Sequence, residues 1–284
     1  MNNSQEKLNT VALIFSKDRP LQLELTIRTF EKYCEEFSDI PVYVLYKPTT
    51  ARMSYAYTTL EERTLEKHPN VKFWEEKNFK NDVNLILDNF KYILFCVDDS
   101  VFLRKFSLED ITSALKTFRG MLGFSLRLGE NTQYCYSLNL QNTMPKFKPI
   151  GKTALVFNWK NAGPGDFSYP LELSSSVYRI KDIRFILEKT IYENPNDLEW
   201  VLSRNATTLN NFSYLGCKKT SIAVSLPINK VQTVNNNRVS ENPEYTAKKL
   251  LEQFENGYVI DDKPFRNFIS NSCHQEVDIK FKYV

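Results

Sequence analysis

Glycine is scarce, with eight in 284 residues, and the SKDRP turn that ends the first apolar run contains none. A glycine-rich loop cradling phosphates through bare backbone is therefore excluded there. Histidine is scarcer still, at two. Five cysteines (Cys34, Cys96, Cys135, Cys217, Cys273) are an odd number without a CxxC spacing, which argues against a disulfide framework or a zinc knuckle. Reduced, buried thiols are expected. Charge of one sign is also missing. Lys plus Arg number 37 against 34 Asp plus Glu, a balance of +3 that offers a polyanion nothing, so no nucleic-acid partner is expected. No uncharged apolar run approaches the roughly 20 residues of a bilayer span, which leaves only peripheral attachment to a membrane open. The opening MNNSQEKLNT is polar and unlike a secretion signal, so a cytoplasmic protein is expected.

Apolar runs separated by helical periods are abundant. VALIF (11–15), PVYVLY (41–46), VKFW (71–74) and YILFCV (92–97) read as strands buried on both faces. After the first, Pro20 suits an opening helical position, and Leu23, Ile27, Phe30, Cys34 and Phe37 follow at helical spacing. Val83, Ile86, Leu87 and Phe90 mark a helix before the fourth strand, and Ser107 to Asp110 resembles a capping box for another. Past Gly120 the pattern changes: MLGFSLRLG, YCYSLN and TALVFN read as strands without regular helices between them. Helices resume near 180–192 and 195–203, and a last one runs from Pro243 to Gly257. The fold class expected is α/β, one unit over 1–284. A Rossmann-like, mostly parallel half (9–120) is followed by a mixed α+β half (121–284).

The apolar run YILFCVDDSVF ends its strand on two aspartates, Asp98 and Asp99. Adjacent carboxylates repel and are costly to desolvate. In an open parallel sheet, ligands bind beyond the carboxyl ends of the strands. There the pair could share a dication and reach phosphate oxygens, or one acid could cap a turn while the other faces water.

VALIFSKDRP with its helix, then YILFCVDDSVF, resembles the GT-A-fold glycosyltransferases, in a bacterial family 2-like branch. FSLRLG (124–129), GDFSYP (165–170), NPNDLEW (194–200), LPINKVQ (226–232) and CHQE (273–276) agree with it in order. The resemblance implies transfer of a sugar from a UDP- or GDP-linked donor to a hydroxyl of a glycan or lipid-linked acceptor, as in polysaccharide biosynthesis. It implies a DXD-type motif in which Asp99 is the metal ligand for Mn²⁺ or Mg²⁺, with His274 completing the site. Val97 stands where many relatives carry the first acid.

By the same resemblance the donor would meet Ser16, Lys17, Arg19, Asp82 and Asp98. Asp82 serves equally well as a carboxylate favoured by its helix dipole. An inverting transfer needs a carboxylate to take the acceptor's proton, and Glu199 is preferred over Asp197. Arg127, Trp159, Asp166, Tyr169 and Trp200 are the candidates for framing the acceptor, although Trp and Tyr are also ordinary core residues. At LELSSSVYR the relatives tend to carry Asp and His, where Ser174, Ser175 and Ser176 stand here. That substitution keeps a non-catalytic glycan or sugar-nucleotide binder as an alternative. A nucleotidyltransferase, the other alternative, would want the glycine-rich loop that SKDRP lacks.

Overall fold

A computed structural model describes residues 9–231, 238–240 and 242–284. The polar opening MNNSQEKL and Gln232 of the LPINKVQ segment lie outside the described residues. In the first half, β1 (Thr10–Lys17), β2 (Val42–Lys47), β3 (Val71–Glu75) and β4 (Tyr92–Val97) pair parallel in the order β3-β2-β1-β4. Between them lie α1 (Pro20–Tyr33), α2 (Ala51–Leu65) and α3 (Phe79–Leu87). Next come β5 (Ser100–Phe102), α4 (Leu108–Thr117) and β6 (Met121–Ser125).

Four short strands follow: β7 (Tyr134–Cys135), β8 (Leu140–Gln141), β9 (Lys148–Ile150) and β10 (Ala154–Asn158). β11 (Ser176–Arg179) leads into α5 (Ile180–Lys189) and α6 (Pro195–Asn205). β12 (Tyr214–Lys218), β13 (Ala223–Ser225), α7 (Ala247–Glu255), β14 (Tyr258–Ile260) and β15 (Phe281–Tyr283) complete the order. β11 inserts antiparallel between β4 and β6, and the nine-stranded sheet continues through β12, β10 and β9. One sheet thus joins the parallel half to the mixed half.

Both faces of that sheet are covered. Every residue of β1 up to Ser16 is buried, which is why its sequence does not alternate. Ala12 and Ile14 pack with the apolar stripes of α1, α2, α4 and α7, whereas Val11, Leu13 and Phe15 pack with α3, α5 and α6. The α1 stripe is buried as expected. Its last members lie beyond the helix, Cys34 at the cap and Phe37 in a 3₁₀ turn.

Three local expectations change. ARMSYAYTTLEERTL forms α2, which its polar composition hid, although Met53, Ala56, Tyr57 and Leu60 supply a buried stripe. Ser107 does cap α4, accepting from the Asp110 N–H at 3.1 Å. The carboxylate of that cap, however, is the distant Glu36, which accepts from Leu108 N at 2.8 Å and Glu109 N at 3.1 Å. The Pro243 helix begins as a 3₁₀ turn, and α7 proper opens at Ala247 with Thr246 as its cap.

Candidate active site

A cleft of about 780 Å³ opens at the carboxyl ends of β1 and β4, within the size range of small-molecule sites. The parallel register creates it. Phe15 pairs with Val97, and Asp98 N–H donates to Phe15 O at 3.0 Å, so the residues after each strand emerge side by side.

The aspartate pair divides its labour. Asp98 is 3% exposed, and both of its oxygens are occupied. Oδ2 accepts from Ser16 Oγ at 2.9 Å and Lys17 N at 3.1 Å, and Oδ1 accepts from Arg19 Nη1 at 2.9 Å. The same Nη1 reaches Asp99 Oδ2 at 3.2 Å. Asn229 holds the rest of that guanidinium, through its side-chain oxygen (2.9 Å from Nε) and its backbone carbonyl. Tyr57, from α2, lies 2.6 Å from Ser16 Oγ and accepts from Arg19 N at 3.2 Å. Asp99 is the leftover acid. Burial raises its pKa and Asp98 adds to that, against the pull of Arg19, leaving it at about 6.

A second charged group lines the cleft around Arg127, which follows β6. Arg127 Nη2 donates to Glu172 Oε2 at 2.8 Å, and Nη1 contacts Ser225 Oγ at 3.1 Å and His274 Nε2 at 3.2 Å. Glu199, in the second turn of α6, is partly buried. Burial first, and then the nearby Glu172 charge, lift its pKa to about 7 despite Arg127.

The cleft brings together Ser16, Lys17, Arg19, Asp98, Asp99, Arg127, Asp166, Tyr169, Glu199 and His274. Asp166 is set by its neighbour: Gly165 has φ +133, and a Cβ there would lie 2.1 Å from Asn142 Oδ1. That close approach lets Asn142 clamp Asp166 through N–H···O bonds of 3.0 Å in both directions.

Four expected residues stand elsewhere. Asp82 accepts from Lys77 N at 2.8 Å and Asn78 N at 2.9 Å, closing the start of its own helix rather than facing a donor. Asp197 likewise accepts from the amide of Asn194, the α6 cap, at 2.7 Å, and leaves the cleft to Glu199. Trp159 is a core residue, its Nε1 donating to Phe212 O at 3.1 Å. Trp200 is 59% exposed and carries Arg204 over its ring.

Glu172, Tyr57 and Asn229 were missed. For Glu172 a signal existed: a lone acid in the apolar context PLELSSSV must be buried with a partner. The serine run has a purpose of its own, because Ser174 N and Ser176 Oγ both donate to Glu172.

Asp99 and His274, the residues expected to hold Mn²⁺ or Mg²⁺, both line the cleft, and the buried His274 Nδ1 has no partner, but a guanidinium stands beside each. Asp99 is paired to Arg19, while His274 faces the Arg127 guanidinium, where a dication would meet a like charge. Burial and Arg127 hold that imidazole down to about 3, so it is neutral. Among the described residues, no group of three His, Cys, Asp or Glu could hold a metal ion.

The fold is that of a GT-A-type glycosyltransferase. S. aureus TarS superposes with a TM-score of 0.50 at 12% identity, over 77% of this chain and 36% of that one. TarS 1–349 in complex with UDP-GlcNAc gives a TM-score of 0.49 at 12% identity, over 87% of this chain and 66% of that one. By sequence the chain is similar to the bifunctional glycosyltransferase pgtA of Dictyostelium discoideum, 31% identical over 198 residues. That match covers 64% of this chain and spans 25% of the relative's length. No protein-family model matches the chain.

Proposed function

We propose that this protein transfers a sugar from a UDP- or GDP-linked donor to a hydroxyl of a glycan or lipid-linked acceptor, with inversion. The observation that carries the reading is Glu199, a partly buried carboxylate with a pKa of about 7 in the same cleft as the strand-end acids. A general base works best when its pKa lies near the working pH. Glu199 takes the acceptor's proton as the oxygen attacks the anomeric carbon. Ser16, Lys17 and Arg19 lie at the donor end, and Asp166 and Tyr169 at the acceptor end. The similarity to a relative named as a glycosyltransferase supports the reaction class. Five buried, unpaired cysteines support a reducing, cytoplasmic setting. No helix among the described residues is long and apolar enough to cross a membrane. A lipid-linked acceptor would then be met at a membrane surface.

The test is Glu199→Gln. Calorimetry with UDP and GDP should give unchanged affinity, while sugar release from the nucleotide slows by about 10²–10⁴. Undiminished turnover in this variant would remove Glu199 from the chemistry.

A further inference from the structure

Adjacent buried carboxylates need a cation, and here the chain supplies one. The backbone of the strand-end pair is itself fixed. Thr26 Oγ1 lies 2.9 Å from Asp98 O and 2.8 Å from Ser100 O, and Asp99 O accepts from Leu226 N at 2.9 Å. Arg19 reaches the pair because the chain reverses at Asp18. That residue stands at φ 52, in the left-handed region, and accepts from Thr49 N at 2.8 Å and Thr49 Oγ1 at 2.7 Å. Nη1 of Arg19 then serves both acids, at 2.9 Å from Asp98 and 3.2 Å from Asp99. Asn229 takes the other two nitrogens, Nε through its side-chain oxygen at 2.9 Å and Nη2 through its carbonyl. It comes from 210 residues away, on the segment whose Leu226 is bonded to Asp99. Gln22 Nε2 steadies the same Asn229 oxygen from 3.4 Å.

So held, the Arg19 side chain is only 12% exposed. A guanidinium is planar, rigid and weakly hydrated, so little is lost in fixing it. A dication on Asp99 would have to share the acid with Arg19 or expel it. Expulsion leaves an uncompensated buried charge, the costly way to break an ion pair. We propose that Arg19, anchored by Asn229, is the resident cation of the strand-end acids and keeps a divalent metal off Asp99. A diphosphate entering the cleft, which Arg19 lines, then meets a guanidinium rather than a metal ion. The proposal goes beyond the reaction class and does not depend on Glu199 as the base.

The test counts bound Mn²⁺ by electron paramagnetic resonance, with the metal alone as probe. The readout is the uptake that Asp99→Asn removes. Wild type should show none at submillimolar Mn²⁺. Arg19→Gln, which removes the charge, should gain a site, and adding Asp99→Asn should abolish it. Asp99-dependent uptake by wild type overturns the proposal, and so does a folded Arg19→Gln that gains no site. Should Arg19→Gln fail to fold, Asn229→Ala decides in its place: with the anchor cut, uptake should appear, and a chain that still takes up none overturns the proposal. In calorimetry, UDP should bind wild type equally in Mn²⁺ and in EDTA; an affinity raised about tenfold or more by Mn²⁺ also overturns it. A protein that excludes Mn²⁺ in this way but releases no sugar from any nucleotide donor would sink the functional reading alone.

Discussion

Around Arg19 and around Arg127 two carboxylates gather on one guanidinium; where α1 meets the C-terminal hairpin, cations outnumber the acid. Arg19 serves Asp98 and Asp99, and Arg127 serves Glu172 with Glu199 close by. In each trio one acid is clamped and the other is left with a raised pKa, about 6 for Asp99 and about 7 for Glu199. Asp262 has the reverse surroundings, with Lys32 at 2.7 Å and Arg28 and Lys282 at 3.0 Å. Burial pushes its pKa up, but the hydrogen bonds from Lys32 and Lys282 outweigh that and hold it well below the usual carboxylate range. An excess of cations makes a staple between α1 and β15. An excess of acids keeps one carboxylate near neutrality, and only a group that titrates near working pH can trade protons.

The comparison breaks most visibly at Asp98. Asp98→Ala would strand Arg19 and undo the turn after β1. Urea unfolding at pH 7.5 should show a loss of about 3–5 kcal/mol, the cost of breaking one side of a buried pair. Asp99→Asn should leave stability unchanged or raised. Equal losses in the two would deny the division between clamped and leftover acid.

Asp262→Asn comes next, at about 1.5–3 kcal/mol for hydrogen bonds to a charged group, with faster amide exchange in Phe281–Tyr283. Its folded pKa is depressed, so its contribution is present above the unfolded value near ~3.9 and fades as pH falls below that. The wild-type advantage over the variant should shrink between about pH 4 and 2; an advantage constant across that range would contradict the staple.

Glu199→Gln should act in the opposite direction. A raised folded pKa means that the folded state resists ionisation, so stability is lost as pH rises from the unfolded value toward 7. At pH 8 the glutamine variant should be more stable than wild type by about 1–3 kcal/mol, and the gain should vanish below about pH 5. A thermal melt at both pH values checks the sign. Smallest of all, Trp200→Ala should stay within about 0.5 kcal/mol of wild type and leave UDP and GDP affinity untouched. A large loss of affinity would place that ring against the donor nucleotide.

The parallel half was legible because its signals are local and repetitive. β1, β4 and α1 could be read from runs and periods alone, and the strand-end rule then located Asp98 and Asp99, while Ser16 and Arg19 came only from the family resemblance. α2 was overlooked because its buried stripe is broken by serine, tyrosine and threonine. The mixed half was less legible. Its acids, Asp197 and Glu199, stand two residues apart on one helix, and nothing in NPNDLEW says which turns inward. Asn194 resolves the choice by taking Asp197 as a capping partner.

By itself the chain order determined the α/β alternation, the acid pair at a strand end and the carboxylates near the start of α6. Hydrophobic period and cap chemistry act over only a few residues. The tertiary structure alone decided which acids are neutralised. Arg19 and Asp98 are 79 residues apart, Arg127 and Glu172 45, and Arg127 and His274 147. A pKa depends on desolvation and on charges within a few ångströms, whatever their distance along the chain. The same packing set the two expected metal ligands, Asp99 and His274, beside guanidiniums.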